Sequence, residues 1–261
     1  MKKYLFITTL TPKELLSPLR SELFFLYLAA LKGQSYNEWE AILIGEEDRV
    51  DGNIKYVKAN AVSKSDKLKV AYEYLLTLES KPDYIIRLDD DDIISPLILT
   101  DIALANFDCY ADKFHLYYDL VSGDISQQER NWLPNTIIHK YEHALAIYGE
   151  SNLPLFMQDH SQAWHVYYQN KKVLYTPKHK SIYLRIISPT TITSKMNQLK
   201  SSSYLDMDMN SYGEYLKTFG KWRYFNANDF KAYQNKLINI WETFSKQKIK
   251  LKKKTIFNFF K

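Results

Sequence analysis

Four consecutive aspartates, Asp89 to Asp92, follow the apolar run Tyr84-Ile85-Ile86-Arg87-Leu88 and precede Ile93-Ile94-Ser95-Pro96. Adjacent carboxylates repel, and each raises the pKa of its neighbours. A fold holds them together at low cost where a divalent cation binds, and hard cations such as Mg2+ or Mn2+ take oxygen ligands. The plainer alternative is an acidic turn that only ends a strand. Ser95-Pro96 predicts the start of a helix, with Ser95 as N-cap and Pro96 at the first helical position.

The elements that must position this stretch read as alternating strands and helices. Residues 2–10 predict a buried strand, and 14–32 a helix with Leu19, Leu23, Leu26, Tyr27 and Ala30 on one face and Gly33 as C-cap. Strands are expected over 39–44, 54–57 and 84–88, with a helix over 67–78 after Ser63-Lys64-Ser65-Asp66. This order implies an α/β fold, a mostly parallel sheet flanked by helices. In such sheets ligands bind at the carboxyl ends of the strands. That rule gathers Thr8-Thr9-Leu10, Gly45-Glu46-Glu47-Asp48 and Asp89 to Asp92. Later residues predict a helix over 97–107, strands over 114–121, 173–175 and 182–187, and a helix over 161–169. Beyond Thr193 the character changes: Ser201-Ser202-Ser203 reads as a linker, and 211–219 and 229–246 as amphipathic helices.

The 261 residues are 46% hydrophobic and 25% charged, which suits one large domain or a domain with an appendage. The single cysteine, Cys109, excludes an internal disulfide and a cysteine-rich zinc site, and fits a reducing cytoplasm. The apolar run near Met1 is too short for a signal peptide, and no run is long enough to span a membrane. The net charge of +5 is matched by the tail, where residues 246–254 hold six lysines.

Two stretches together resemble the family 2, GT-A fold (Rossmann-like) glycosyltransferases, and the bacterial group of rhamnosyltransferases with an R-L-D-x-D-D motif. One is Leu31-Lys32-Gly33-Gln34-Ser35-Tyr36-Asn37-Glu38-Trp39-Glu40, similar to the family's helix-to-strand joint. The other is Arg87 to Asp92 with Pro96, similar to its metal motif. The resemblance covers about 1–105 well, 110–195 less well, and nothing after about 200. It implies a metal-dependent, inverting transfer of a hexosyl or deoxyhexosyl group. The donor would be a nucleoside diphosphate sugar, UDP- or dTDP-linked, and the acceptor a glycan or lipid-linked molecule in bacterial surface polysaccharide synthesis. Mn2+ or Mg2+ would neutralise the diphosphate leaving group. By position, Asp91 and Asp89 would serve the metal, Asp89 also the ribose, and Asp92 the acceptor. Asp90 falls at the variable place, is the most expendable of the four, and is counted with the nucleotide-sugar contacts. Thr8, Thr9, Glu46, Glu47 and Lys67 would also face the nucleotide sugar, with Lys64 near the diphosphate. Glu replaces the family's usual Asp at 46–47. Asp159, in Met157-Gln158-Asp159-His160-Ser161, matches the family's acidic residue and would be the general base; helix capping suits it equally. Ser188 stands where some relatives have a metal-ligating histidine, with His179 the nearest substitute. Arg185 would contact phosphate or pack in its strand. Trp132, Trp164 and Tyr168 are the aromatic candidates to stack on an acceptor sugar.

These features predict a GT-A domain over 1–195, divided into a nucleotide-sugar half (1–105) and an acceptor half (106–195), then a helical extension over 196–261. Lysines and aromatics in Lys246 to Lys261 suit peripheral attachment to the inner face of the cell membrane, or else a disordered tail. Alternative readings are a metal-dependent nucleotidyltransferase or phosphohydrolase, or a non-catalytic protein that binds a nucleotide sugar or Ca2+. A role in nucleic-acid binding has no recognition fold behind it.

Overall fold

The computed structural model describes residues 1–61, 63–189, 209–223 and 227–259, with backbone alone over 209–211 and 247–259. In chain order the strands are β1 Tyr4–Thr9, β2 Trp39–Gly45, β3 Arg49–Asp51, β4 Ile54–Lys58, β5 Tyr84–Arg87, β6 Ile93–Ile94 and β7 Cys109–Ala111, then β8 Phe114–Asp119, β9 Ile125–Glu129, β10 Ile138–Lys140, β11 Ile147–Tyr148, β12 Leu153–Pro154, β13 Val173–Tyr175 and β14 Tyr183–Ile187. The principal sheet has eight strands in the order β13-β7-β10-β5-β1-β2-β4-β3, and a smaller sheet runs β6-β14-β8-β9. β1 pairs in parallel with both β2 and β5, and β2 with β4, as the alternating pattern requires. β10 breaks the parallel run, lying antiparallel to β5 and β7. The α/β fold with a mostly parallel sheet expected from the sequence is therefore present.

The central strands are apolar on both faces because helices cover both faces. Helix α1, Pro18–Lys32, begins where Ser17 accepts from the Arg20 amide and Pro18 occupies the first turn. Its stripe Leu19, Leu23, Leu26, Tyr27, Ala30 and Leu31 is buried with Phe6, Leu43 and Tyr56 in the largest core cluster. Helix α2, Lys64–Leu76, is capped by Ser63 and buries Leu68, Ala71 and Leu75 against Leu5, Ile7 and Ile42 on the other face. The helix Lys231–Phe259 places Tyr233 and Leu237 in the same core as α1, so this part of the extension packs onto the sheet layer.

The structure departs from the sequence expectations in several places. Residues 97–107 form a helix only over Ile98–Ile102, because the chain must return Phe107 to the core and start β7. Ser95 does not cap a helix started by Pro96; the cap position is Leu97. β3, β7, β9 and β10 were not expected, and three of these are only three residues long, too short to show a period. Ser201 to Ser203 and Thr190 to Thr193 lie outside the described residues, as do the side chains of Ile249, Leu251, Ile256, Phe257, Phe259 and Phe260. Among the described residues no helix is long and apolar enough to cross a membrane.

Candidate active site

β5 ends at Arg87, and the Leu88 amide still donates to Ile7 of β1 at 3.0 Å. The Asp92 amide then turns back to the Asp89 carbonyl at 3.2 Å, and Ile93-Ile94 enter the smaller sheet beside β14. The four aspartates thus occupy the turn between the two sheets, at the carboxyl end of β5. Asp90, Asp91 and Asp92 are buried.

Their mutual repulsion is relieved by the chain's own cations. Arg20, itself buried on α1, spans two of the carboxylates: its Nη2 donates to Asp90 Oδ1 at 2.5 Å, and its Nη1 donates to Asp91 Oδ2. Asp90 also accepts from the Thr11 amide at 2.7 Å. Lys64 Nζ lies 2.6 Å from Asp89 Oδ1, and Asn135 Nδ2 donates to Asp89 Oδ2 at 3.1 Å. Asp92 accepts from the Ile186 amide at 3.1 Å. Burial pushes Asp89 up, but Lys64, Arg87 and Arg185 outweigh it and hold this carboxyl below its ordinary range. Burial and the neighbouring carboxylates push Asp91 up to about 6 against Arg20, and push Asp92 well up against Arg185.

A pocket beside the turn has Asp90 on its edge and is lined by Lys13, Phe24, Glu46, Glu47, Tyr56 and Lys67. Gly45 also lines it, and a Cβ there would stand 2.9 Å from Leu10 Cδ1. Lys67 donates to the Leu10 carbonyl at 2.8 Å; burial lowers its pKa, against the pull of Glu46 and Asp90. Glu46 accepts from the Lys13 amide at 2.8 Å, and Glu47 pairs with Arg49 at 3.1 Å. Thr9 is half-buried at the end of β1. Thr8 does not face the pocket: it is fully buried, with its hydroxyl 2.7 Å from that of Tyr27.

Asp159 lies on an exposed turn and caps the π-helical turn His160–Trp164, accepting from the Ser161 and Gln162 amides at 2.9 and 3.3 Å. Burial raises its pKa, but the Ser161 hydroxyl, His160 and these amides prevail and hold it low. Arg87 connects this turn to the acidic one: its Nη1 donates to the Phe156 and Gln158 carbonyls at 2.7 and 3.1 Å. Trp164 cannot stack on a sugar, because it is fully buried with its ring against Arg87 at 4.4 Å and its Nε1 donating to Leu155 at 2.5 Å. Tyr168 is likewise buried, its hydroxyl 2.8 Å from His139 Nδ1. Trp132 is 38% exposed, with Arg130 over its ring. Arg185 is half-buried; desolvation lowers its pKa, but Tyr183, Asp92, Tyr215 and Tyr117 outweigh this and raise it. His179 lines a separate cleft of about 450 Å³ with Lys178 and Phe230. Ser188 is buried.

Sequence reasoning missed Arg20, Thr11 and Asn135, and placed Arg87 in the acidic motif without giving it a role. Arg20 had a signal, a cation beside the apolar stripe of α1. Thr11 and Asn135 are recognisable only from the tertiary fold.

Among the described residues no three or more His, Cys, Asp or Glu side chains are grouped to hold a metal ion. A hard cation shared with phosphates needs only one or two carboxylates, a donor chemistry that Asp89 and Asp91 would suit.

No protein-family model matches the chain. No curated protein matches it either. Among solved structures it is similar to TarS from S. aureus, at 13% identity and TM-score 0.46, over 92% of this chain and 70% of that one. It is also similar to a proposed nucleotide-diphospho-sugar transferase from Desulfovibrio desulfuricans, at 9% identity and TM-score 0.38, over 84% and 97%. A third is the glycosyltransferase GlyE from Streptococcus pneumoniae, at 8% identity and TM-score 0.39, over 94% and 64%. With identities of 13% or less and TM-scores of 0.46 or less, these likenesses assign no role to any residue of this chain.

Proposed function

We propose that this protein is a glycosyltransferase that moves a sugar from a nucleoside diphosphate sugar to a hydroxyl of a glycan or lipid-linked acceptor. One observation carries the reading: an acidic turn at the carboxyl end of β5, paired with Lys64, bordered at Asp90 by a pocket, and joined through Arg87 to the residue before Asp159. Such an arrangement would supply both halves of a group-transfer site, one for a charged leaving group and one for a proton acceptor.

The pocket around Tyr56, Glu46, Glu47 and Lys67 would take the nucleoside of a UDP- or dTDP-sugar, with Thr9 at its margin. Asp89 and Asp91 would hold Mn2+ or Mg2+ together with the diphosphate, and such a cation would neutralise the charge that builds on the leaving group. Asp90, fixed by Arg20 and Thr11, would shape the edge of the nucleoside pocket. Asp159 is held ionised by its cap bonds and would remove the proton from the acceptor hydroxyl as the oxygen attacks the anomeric carbon, inverting it. Asp92 and Trp132 would face the acceptor. Residues 1–195 would form the transferase domain and 196–261 its extension. The lysine-rich tail would hold the protein peripherally on the inner membrane face, in bacterial surface polysaccharide synthesis.

A thermal-shift screen of nucleoside diphosphates with Mn2+ tests the core of this reading, followed by turnover of the nucleotide sugars that bind. The wild type should be stabilised by a uridine or thymidine diphosphate, and Asp91→Asn should lose most of the cation-dependent part. No stabilisation of the wild type, or an equal response of the variant, sinks the proposal.

A further inference from the structure

We infer that Arg87 is a positioning residue that sets the Asp159 turn against the acidic turn. The inference rests on the proposed transferase reading and deepens it. Arg87 is the last residue of β5, two positions before Asp89. Its side chain crosses to residues 156–158 and donates from Nη1 to two carbonyls of that loop, Phe156 and Gln158, separated by one residue. The second of these immediately precedes Asp159.

The rest of the guanidinium is confined by packing. Trp164, at the far end of the same turn, presents its ring 4.4 Å from the guanidinium carbon, and Trp164 is itself fixed by its bond to Leu155. His139, from β10, packs edge-on with the Trp164 ring, their centroids 4.6 Å apart. The Nε of Arg87 is buried without a partner among the described residues, so Nη1 carries these hydrogen bonds. Arg87 therefore grips the loop at both ends of the Asp159 cap. Its charge lies in the field of Asp89 and of Asp159 at once. A lysine could supply the charge and the donors, but not a rigid planar group with its face against Trp164.

The test combines Arg87→Lys, Arg87→Met, Asp159→Asn and the double variant Arg87→Met/Asp159→Asn. Hydrogen exchange at the amides of 155–164 should quicken in Arg87→Lys relative to the wild type, while β1 and β2 stay protected. Steady-state turnover should show kcat reduced by on the order of 10²-fold in Arg87→Met, as for loss of general base catalysis, with donor KM within about twofold. Arg87→Lys should recover part of the loss. The double variant should be no slower than Asp159→Asn alone, because both changes disable one device. Unchanged exchange at 155–164, full kcat in Arg87→Met, or independent losses that multiply in the double variant would each overturn the inference while leaving the transferase reading intact. A wild type that turns over no nucleotide sugar would overturn that reading instead, and the positioning role in catalysis with it.

Discussion

Arg20 is the strongest single test of how the acidic turn is held together. Its guanidinium bridges Asp90 and Asp91, and all three side chains are at most 9% exposed. Exposed ion pairs contribute roughly 0–1 kcal/mol. Breaking a buried pair by removing one partner costs about 3–5 kcal/mol, because a charge is left uncompensated in a poor solvent. Asp90 retains the Thr11 amide, so most of the cost should fall on Asp91. Arg20→Met keeps the apolar stem against α1 and removes the charge. For a chain of this size the expected loss corresponds to a fall in Tm of about 6–20 °C, measured by circular dichroism without added metal. In an Asp91→Asn background the same substitution should cost less, by about 1–3 kcal/mol of coupling. A loss under about 1 kcal/mol, or strict additivity with Asp91→Asn, would refute the claim that this cation offsets buried carboxylate charge.

Two further outcomes follow from the site. His115 is buried, its Nε2 lacks a partner among the described residues, and burial with Arg130 and His160 nearby pushes its pKa down to about 3. An unfolded histidine binds a proton near pH 6.5, so the unfolded chain holds more protons between pH 6.5 and 3, and stability falls as pH drops through that window. The full window is worth at most about 5 kcal/mol; urea unfolding at pH 7, 6, 5 and 4 should show a shallower acid loss in His115→Gln, with the buried His139 keeping its own share. An unaltered slope would show that His115 is not the group responsible. Asp159→Asn keeps a side-chain oxygen to cap 160–164 but cannot take a proton, so stability should change by under about 1 kcal/mol while kcat falls by about 10²- to 10⁴-fold; a change confined to stability would leave Asp159 a cap only.

The parallel core was legible because β1, β2 and β5 are continuous apolar runs separated by a capped helix, and those signals are local. The acidic turn was legible for the same reason. What the sequence did not disclose was which partners neutralise the aspartates. Arg20 is 70 positions from Asp90 in the chain, and Asn135 is 46 from Asp89. Only the closing of α1 and the 131–137 segment over the sheet end brings them in. Composition also misled for the aromatics: Trp164 looks like a sugar platform in the sequence, but its ring fills the core under Arg87. Thr8 failed through strand alternation, which turns it toward Tyr27 while Thr9 stays partly open.

The acidic turn also works as a mechanical splice. Leu88 is hydrogen-bonded into the principal sheet and Ile93 is paired with Leu184 in the smaller one, leaving only the four aspartates between two fixed ends. Such a short bridge has no slack. One residue added within it would either exchange the faces that Ile93 and Ile94 occupy or pull β6 out of register with β14. A ligand drawing on these carboxylates would therefore load both sheets together.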